Sequence, residues 1–434
     1  MSGKIPSEED LVLALRSLKA AHPALGIAKT QTLLLDHHKD WSVSEKRIRK
    51  ILQSEGLHTA SPNETKKVWP SSKVNDSLDV AHFSKKIEVR VFDKAKGKGL
   101  VTKEDIAKDE VIWKEDPFII APEWDIHDFQ AAGKHCGYCT TQVALDSSLV
   151  IICPSSTSET PCNIRYCNRL CLKRSRATHP LLCAAQNPAS IPLLQFIRRV
   201  EWQALLALTN LTSRILLANQ LQVDNELNND WGVVKGLAAL GMEDRFKDAG
   251  REPDRDTWKK CFELYTGALH TPKSPADQKK LAKVLKKPLD PEIENALFEY
   301  SSFLRGLGRM SLNLESHGGL YALHSHLNHG CTPNISVRHL DQRTALSRIT
   351  MIALTPISAG SELLITYVNP ALGVRARRTQ LMEWGFGECR CARCMEEAKQ
   401  VKANGGDDDT ITGSGPEDGG DDLQKELTAA LGVL

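Results

Sequence analysis

Apolar residues recur at helical intervals over three short stretches at the start of the chain. Leu11, Leu13, Leu15 and Leu18 give a first helix its apolar side, Ile27 to His37 predicts a second, and Ser42 and Glu45 have capping-box spacing ahead of a third. In that third helix Ile48, Ile51 and Leu52 face a core while Lys46, Arg47, Arg49 and Lys50 stay wet. Residues 58–80 are polar, with Pro62 and Pro70, and read as a linker. From Lys86 the pattern turns β-like: IEVRVF predicts a strand, GKGLVT a tight turn into another, and EVIWKEDPFII a third. About 190 to 310 is mostly helical, with periodic apolar positions over Leu193 to Leu221 and shorter helices at Asp256 to Leu269 and Ala276 to Leu285. Strand-like segments return at ISVRHL, RITMIALTP and ELLITYV, and a basic helix follows through Arg375, Arg377 and Arg378. The fold class predicted is α+β.

Composition changes this picture in three ways. The 434 residues suffice for two or three domains with a sizeable core. Lys and Arg number 56 against 54 Asp and Glu, which excludes a whole-chain electrostatic claim on nucleic acid and leaves only a local one. The basic third helix could lie along a nucleic-acid backbone as a DNA contact, although a solvated helix face is the plainer account. The stretch from Leu205 to Ala218 is broken by Asn210, Ser213 and Arg214, so no membrane span is expected, and the acidic start MSGKIPSEEDLVLALRSL does not read as a secretory leader. An intracellular chain is the expectation, with the N-x-S/T triplets as chance matches. Residues 403–424 hold seven acidic residues and no basic one, which predicts a disordered tail.

The twelve cysteines carry most of the chemistry. They avoid the first 135 residues and place seven between 136 and 183: Cys136, Cys139, Cys153, Cys162, Cys167, Cys171 and Cys183. With His179, four residues before Cys183, they make eight soft ligands, enough for two tetrahedral zinc ions. Each close pair supplies two ligands from one turn, and two filled sites would knit a segment with little core of its own. His135, beside Cys136, is a rival to His179 that fits the spacing less well. Cys389, Cys391 and Cys394 form a second group of three, which Cys331 can complete from the turn LNHGCTPN. Cys261 is left over as buried apolar volume in a helix.

The block YCNRLCLKRSRATHPLLC resembles the second half of a MYND zinc finger. By that resemblance Cys136, Cys139, Cys167 and Cys171 bind one ion, and Cys153, Cys162, His179 and Cys183 the other. The wide spacing in CPSSTSETPC departs from the family pattern at Cys153. KGKGLVT, LNHGCTPN, ELLITY and FGECRCARC, in that order, resemble the SET-domain lysine methyltransferases, in particular those split by a MYND finger. The arrangement is most similar to the fungal SET-domain protein five family, whose members act on lysines in the N-terminal tail of histone four on chromatin.

This resemblance implies a β-rich SET fold of small sheets with a pseudoknot-like active site, split by the finger and a helical insertion and closed by a post-SET zinc segment. It divides the chain into an N-terminal helical unit (1–58), linker (59–83), first SET part (84–130), double-zinc finger (131–185), helical insertion (186–310), second SET part (311–370), post-SET segment (371–396) and acidic tail (397–434). It implies S-adenosylmethionine as methyl donor, contacted by Gly97, Lys98, Gly99, Asn328, His329 and Phe386, and Tyr367 as the catalytic residue. It implies three structural zinc ions, the third held by Cys331, Cys389, Cys391 and Cys394. Histone or nucleosome is the implied substrate, with a peptide partner for the finger, no membrane, and a nuclear and cytoplasmic location. Tyr321 is a candidate for the lysine channel, Glu362 stays outside the catalytic set, and Gly330 stands where the family commonly has serine. A non-histone lysine substrate and an inactive interaction scaffold remain open beside this expectation.

Overall fold

The computed structural model describes residues 4–403 apart from 23–24, 26, 56–67, 94–95, 222–224, 248–251 and 340–347. The acidic stretch expected over 403–424 lies almost wholly outside the described residues, as does the first part of the expected linker, up to residue 67. The chain forms two compact units, residues 1–68 and 69–434.

In the first unit, helices Glu8–Ala21, Ile27–His37 and Glu45–Ser54 close around Leu11, Leu15, Leu34, Val43, Ile48, Ile51 and Leu52. Leu13 is 65% exposed, because Leu11, Leu15 and Leu18 keep the i, i+4, i+7 spacing and Leu13 falls off that face. Ser7 caps the first helix, its Oγ accepting the Asp10 N–H at 3.1 Å. The cap of the third helix is Ser44 instead of Ser42, since its Oγ accepts the Arg47 N–H at 3.4 Å. Lys46, Arg49 and Lys50 are exposed as expected, whereas Arg47 is half-buried and donates to the Pro6 carbonyl at 2.9 Å.

In the second unit the chain is already packed at residue 71. Ser71 and Ala239 exchange backbone hydrogen bonds at 3.1 and 2.9 Å, so this end of the expected linker is an ordered edge. Ile87–Val91 then pairs antiparallel with Lys98–Thr102. Gly97, at φ +73, makes the turn into the second strand in a conformation that side chains with a Cβ rarely adopt. Val111–Glu115 pairs with Ile349–Ala353, which pairs with Ile335–Arg338. The stretch 110–120, expected as one strand, is two: Asp116 and Pro117 interrupt it, and Ile119–Ile120 pairs separately with Gly319–Leu320. These small sheets share a core that includes Leu100, Trp113, Leu327, Met351 and Leu363.

The helical part has its own core. Leu193 to Leu221 forms two helices, Ser190–Val200 and Gln203–Ala218, parted where Glu201 takes a left-handed φ of +49. The second is buried over most of its length and polar contacts fix it, Arg214 forking onto Asp230 at 2.8 and 2.9 Å and Thr212 meeting Tyr265 Oη at 2.7 Å. Helix Tyr300–Asn313 presses against the 240 backbone so closely that a Cβ on Gly308 would sit 1.7 Å from the Leu240 carbonyl oxygen. No described helix is long and apolar enough to cross a membrane.

Between sheets and helices, the cysteine-rich segment has one strand pair, Ile151–Ile152 with Arg165–Tyr166, and helices Arg169–Ser175 and His179–Leu182. Leu145, Leu149, Ile152 and Leu170 are all more than half exposed, which fits a segment organised by its thiols more than by apolar burial.

Candidate active site and metal clusters

The turn at 327–334 is the point where the chain crosses itself. Asn328–His329 runs parallel to Leu364–Ile365. Asn334 locks the crossing: its Oδ1 accepts the Leu364 N–H at 2.8 Å, its Nδ2 donates to the Glu362 carbonyl at 2.8 Å, and its carbonyl accepts the Leu354 N–H at 2.8 Å. Asn328 Nδ2 donates to the Lys98 carbonyl and to Glu362 Oε1, both at 2.9 Å. Gly99 lies beneath this contact, where a Cβ would come within 2.7 Å of Asn328 Nδ2 and of Phe92. The glycines of the KGKG loop are thus needed for a turn at Gly97 and for close approach at Gly99. Gly330 also sits tightly, since a Cβ added there would lie 3.0 Å from the Leu364 side chain.

His329 ties this crossing to Tyr367. The Tyr367 N–H donates to His329 Nδ1 at 3.1 Å, so the ring proton resides on Nε2, which lies 3.2 Å from Cys331 Sγ. The Tyr367 hydroxyl donates to the Leu327 carbonyl at 2.5 Å, and its ring lies 4.9 Å from Phe386 and 5.5 Å from His329 between centroids. Burial, and then the Glu315 and Glu362 carboxylates, hold the phenol well above its ordinary pKa. Tyr367 therefore stays protonated. Tyr367 and Phe386 face a cavity of about 530 Å³ whose wall also includes Trp384, Leu327, Glu315 and His324.

Of the residues expected at the cofactor, Gly99, Lys98, Asn328 and His329 converge on the crossing, Phe386 lies across from Tyr367, and Gly97 shapes the loop. Lys98 does more than its backbone role requires. Its side chain is buried, with Nζ donating to the Gly236 carbonyl at 2.6 Å and lying 3.0 Å from His326 Nε2, and burial lowers the amine to about 7. Glu362 is a structural anchor, bonded to Asn328 and paired with Lys96. Tyr321, a candidate for the lysine channel, is fully buried with its hydroxyl 2.8 Å from His317 Nε2 and does not line the cavity. Glu315 and His324, which do, carry no sequence signal beyond a short polar loop and one of several histidines.

The thiols fall into three groups, in each of which four donor atoms lie within 4.8 Å of one another: Cys136, Cys139, Cys167 and Cys171; Cys153, Cys162, His179 and Cys183; Cys331, Cys389, Cys391 and Cys394. Separations such as 3.6 Å for Cys139 to Cys167, 3.8 Å for Cys153 to Cys183 and 3.8 Å for Cys331 to Cys389 suit a tetrahedral ion with bonds of about 2.3 Å to sulfur. Cys153, in the wide pair, is 3.3 Å from His179 Nε2 and belongs to its group. His135 stays outside, with Nδ1 2.7 Å from the Thr140 carbonyl and its ring stacked on Phe129. Cys261 is buried away from the three groups, and burial pushes its thiol up to about 12.

The SET domain family matches residues 97–368, more than half of the chain and the span that holds the crossing and Tyr367. The chain belongs to the SET-domain family. Histone-lysine N-methyltransferase SET5 of Mycosarcoma maydis is 30% identical over 336 residues, an overlap covering 70% of this chain and 66% of that protein. The protein of that name from Yarrowia lipolytica is 28% identical, with 91% of this chain and 84% of the relative covered, and the one from Saccharomyces cerevisiae is 26% identical, with 90% and 76% covered. A solved structure, the SET domain of LSMT bound to lysine and AdoHcy, overlaps 92% of this chain and 66% of its own at 10% identity and a TM-score of 0.32, too loose a match to bear on residue roles. The SET-domain chain is an S-adenosylmethionine-dependent methyltransferase, and its three cysteine-rich groups match three structural zinc ions.

Proposed function

We propose that this methyltransferase acts on lysine side chains of histones, with the N-terminal tail of histone four as its substrate and chromatin in the nucleus as its main place of work. The observation that carries the reading is the placement of the Tyr367 phenol on the cavity wall, within a crossing that joins the KGKG loop, Asn328–His329 and the third thiol group. The curated relatives, named as histone-lysine methyltransferases, supply the substrate class.

When bound, S-adenosylmethionine supplies a sulfonium methyl group that a neutral lysine amine takes through its lone pair, leaving S-adenosylhomocysteine. Gly97, Lys98 and Gly99 offer backbone for close approach, and Asn328, His329 and Phe386 complete the cofactor wall. Tyr367 keeps its proton and holds the amine and the methyl in line, a task of positioning and dipole placement. The three zinc positions are filled by protein donors alone, so they hold structure and take no part in the transfer.

In this reading Cys136–Cys183 is a MYND-type finger that docks a peptide partner, and the basic helix Glu45–Ser54 offers a weak contact to DNA. The enzyme is also present in the cytoplasm, where histones are made. Incubating the full-length protein with recombinant nucleosomes and S-adenosylmethionine, followed by mass spectrometry, is expected to place methyl groups on lysines of the histone four tail. Methylation confined to another histone would overturn the substrate assignment, and none on any core histone would overturn the reading.

A further inference from the structure

We propose that Glu315 receives the ammonium head of the incoming lysine, which gives its proton to solvent before the neutral amine takes the methyl group, with His324 as the positioning residue beside it. The inference rests on the lysine methyltransferase reading above. The 530 Å³ cavity next to Tyr367 is walled by aromatic and aliphatic side chains such as Phe386, Trp384, Leu327 and Ile335. Its lining includes one carboxylate, Glu315, and no lysine or arginine. A cationic side chain that enters such a space loses hydration, and a carboxylate facing it offsets that loss.

Glu315 is held firmly in place. Its N–H donates to the Gly319 carbonyl at 2.9 Å, and its own carbonyl accepts the Gly318 N–H at 2.7 Å. Gly318 takes φ +81 and leaves only 1.6 Å between an added Cβ and the Ala121 carbonyl oxygen, so the turn is pressed against its neighbour. The Glu315 carboxylate accepts no hydrogen bond from the described residues and keeps 29% of its side chain accessible.

His324 supplies an independent sign that something is meant to enter. It is 4% exposed, yet its Nε2 makes no hydrogen bond and lies 3.5 Å from Glu315 Oε1, too far for a good one. Its backbone is rigid, since the carboxylate of buried Glu115 accepts the Leu323 N–H at 2.8 Å and the His324 N–H at 3.0 Å. The Glu315 carboxylate thus stands on the cavity wall with acceptor capacity to spare, which is what a donor-only ammonium requires, beside a buried imidazole whose Nε2 makes no hydrogen bond.

The test uses the full-length, zinc-loaded protein and recombinant histone octamer as substrate. Glu315→Gln keeps the shape and removes the charge. The KM for octamer is expected to rise about tenfold, the loss of one charge-assisted hydrogen bond, while the KM for S-adenosylmethionine stays within about twofold. Glu315→Asp should recover part of the loss. His324→Gln, which leaves the carboxylate in place, should raise the octamer KM by about threefold and provides the same split should the turn not tolerate Gln. An unmoved octamer KM in both variants would sink this inference and leave the activity standing. A matching rise in the cofactor KM would also sink it, because the carboxylate would then serve the methyl donor's own ammonium. Wild-type protein that transfers no methyl group to octamer would instead bring down the histone reading beneath it.

Discussion

The cysteine-rich stretch 136–183 and the stretch 389–394 with Cys331 both gather sets of four metal-ligating donors, but they differ in what the donors touch. The group of Cys136, Cys139, Cys167 and Cys171 has local contacts: Asn168 caps the helix that carries Cys171, and Gln130, six residues before Cys136, donates to its carbonyl. The group with His179 reaches further, because Leu181, between His179 and Cys183, enters the core of the helical part. In the third group Cys331 lies two residues from His329, whose ring joins its sulfur to the Tyr367 backbone. Arg377, fully buried, donates to Cys394 Sγ at 3.5 Å and pairs with Glu397. Similar donor sets therefore brace local structure in one place and the crossing that carries Tyr367 in the other.

The largest expected effect fixes the reference point. Tyr367→Phe removes one hydroxyl and should lower the rate of methyl transfer by about 100-fold or more, with three zinc ions retained by elemental analysis. A variant with normal turnover would place the chemistry elsewhere, and the contrast between the two zinc regions would lose its meaning.

Next comes the contrast itself. Cys394→Ser should reduce the zinc content from three ions to two and cut transfer by roughly tenfold or more, since removing a support of a site costs about 10- to 100-fold. Cys136→Ser should lose one ion as well but keep transfer within about threefold of wild type, because that group touches nothing at the crossing. Equal losses of activity in the two variants would show that the Cys136 group is as tightly coupled to Tyr367 as the Cys331 group is. A smaller effect probes the link: His329→Leu is expected to keep three zinc ions and lower transfer by about fivefold, through the freed Tyr367 backbone together with the altered cofactor wall. Loss of zinc in that variant would mean that the imidazole supports the metal more than the tyrosine.

The thiol groups are readable in the chain because close pairs such as Cys136 with Cys139 come from single turns, and local geometry follows local sequence. Asn328, His329 and Tyr367 are readable through family pattern, although the ring that joins them is a tertiary contact. Helices follow the sequence closely where the apolar period is strict and less closely where one residue falls off it, as with Leu13. The break at Asp116 and Pro117 and the left-handed Glu201 both divide stretches whose apolar content runs on unbroken. Glu315 and His324 cannot be paired from sequence, since the turn at Gly318 and the strand Gly319–Leu320 bring them together. The Lys98 side chain is equally hidden, because its partners come from 138 and 228 residues away.

Lys98 extends the comparison to a buried cation that lacks what Arg377 has. Arg377 faces thiols and Glu397, whereas the Lys98 amine faces the Gly236 carbonyl and His326, with no carboxylate in hydrogen-bond reach among the described residues. Burial lowers Lys98 from 10.5 to about 7, and burial followed by the Lys98 charge lowers His326 from 6.5 to about 3. Between about pH 7 and 10.5 the unfolded chain holds a proton on Lys98 that the folded chain has released, so this group makes folding more favourable as pH rises, and below 7 its full cost is present. The slope approaches about 1.4 kcal/mol per pH unit for one group at most. Lys98→Met removes this contribution, so the melting temperature of the variant minus that of wild type should fall steadily from about pH 7 to about pH 10. A difference that stayed flat across that range would mean that the amine remains charged in the folded protein and has found an anionic partner, as Arg377 has.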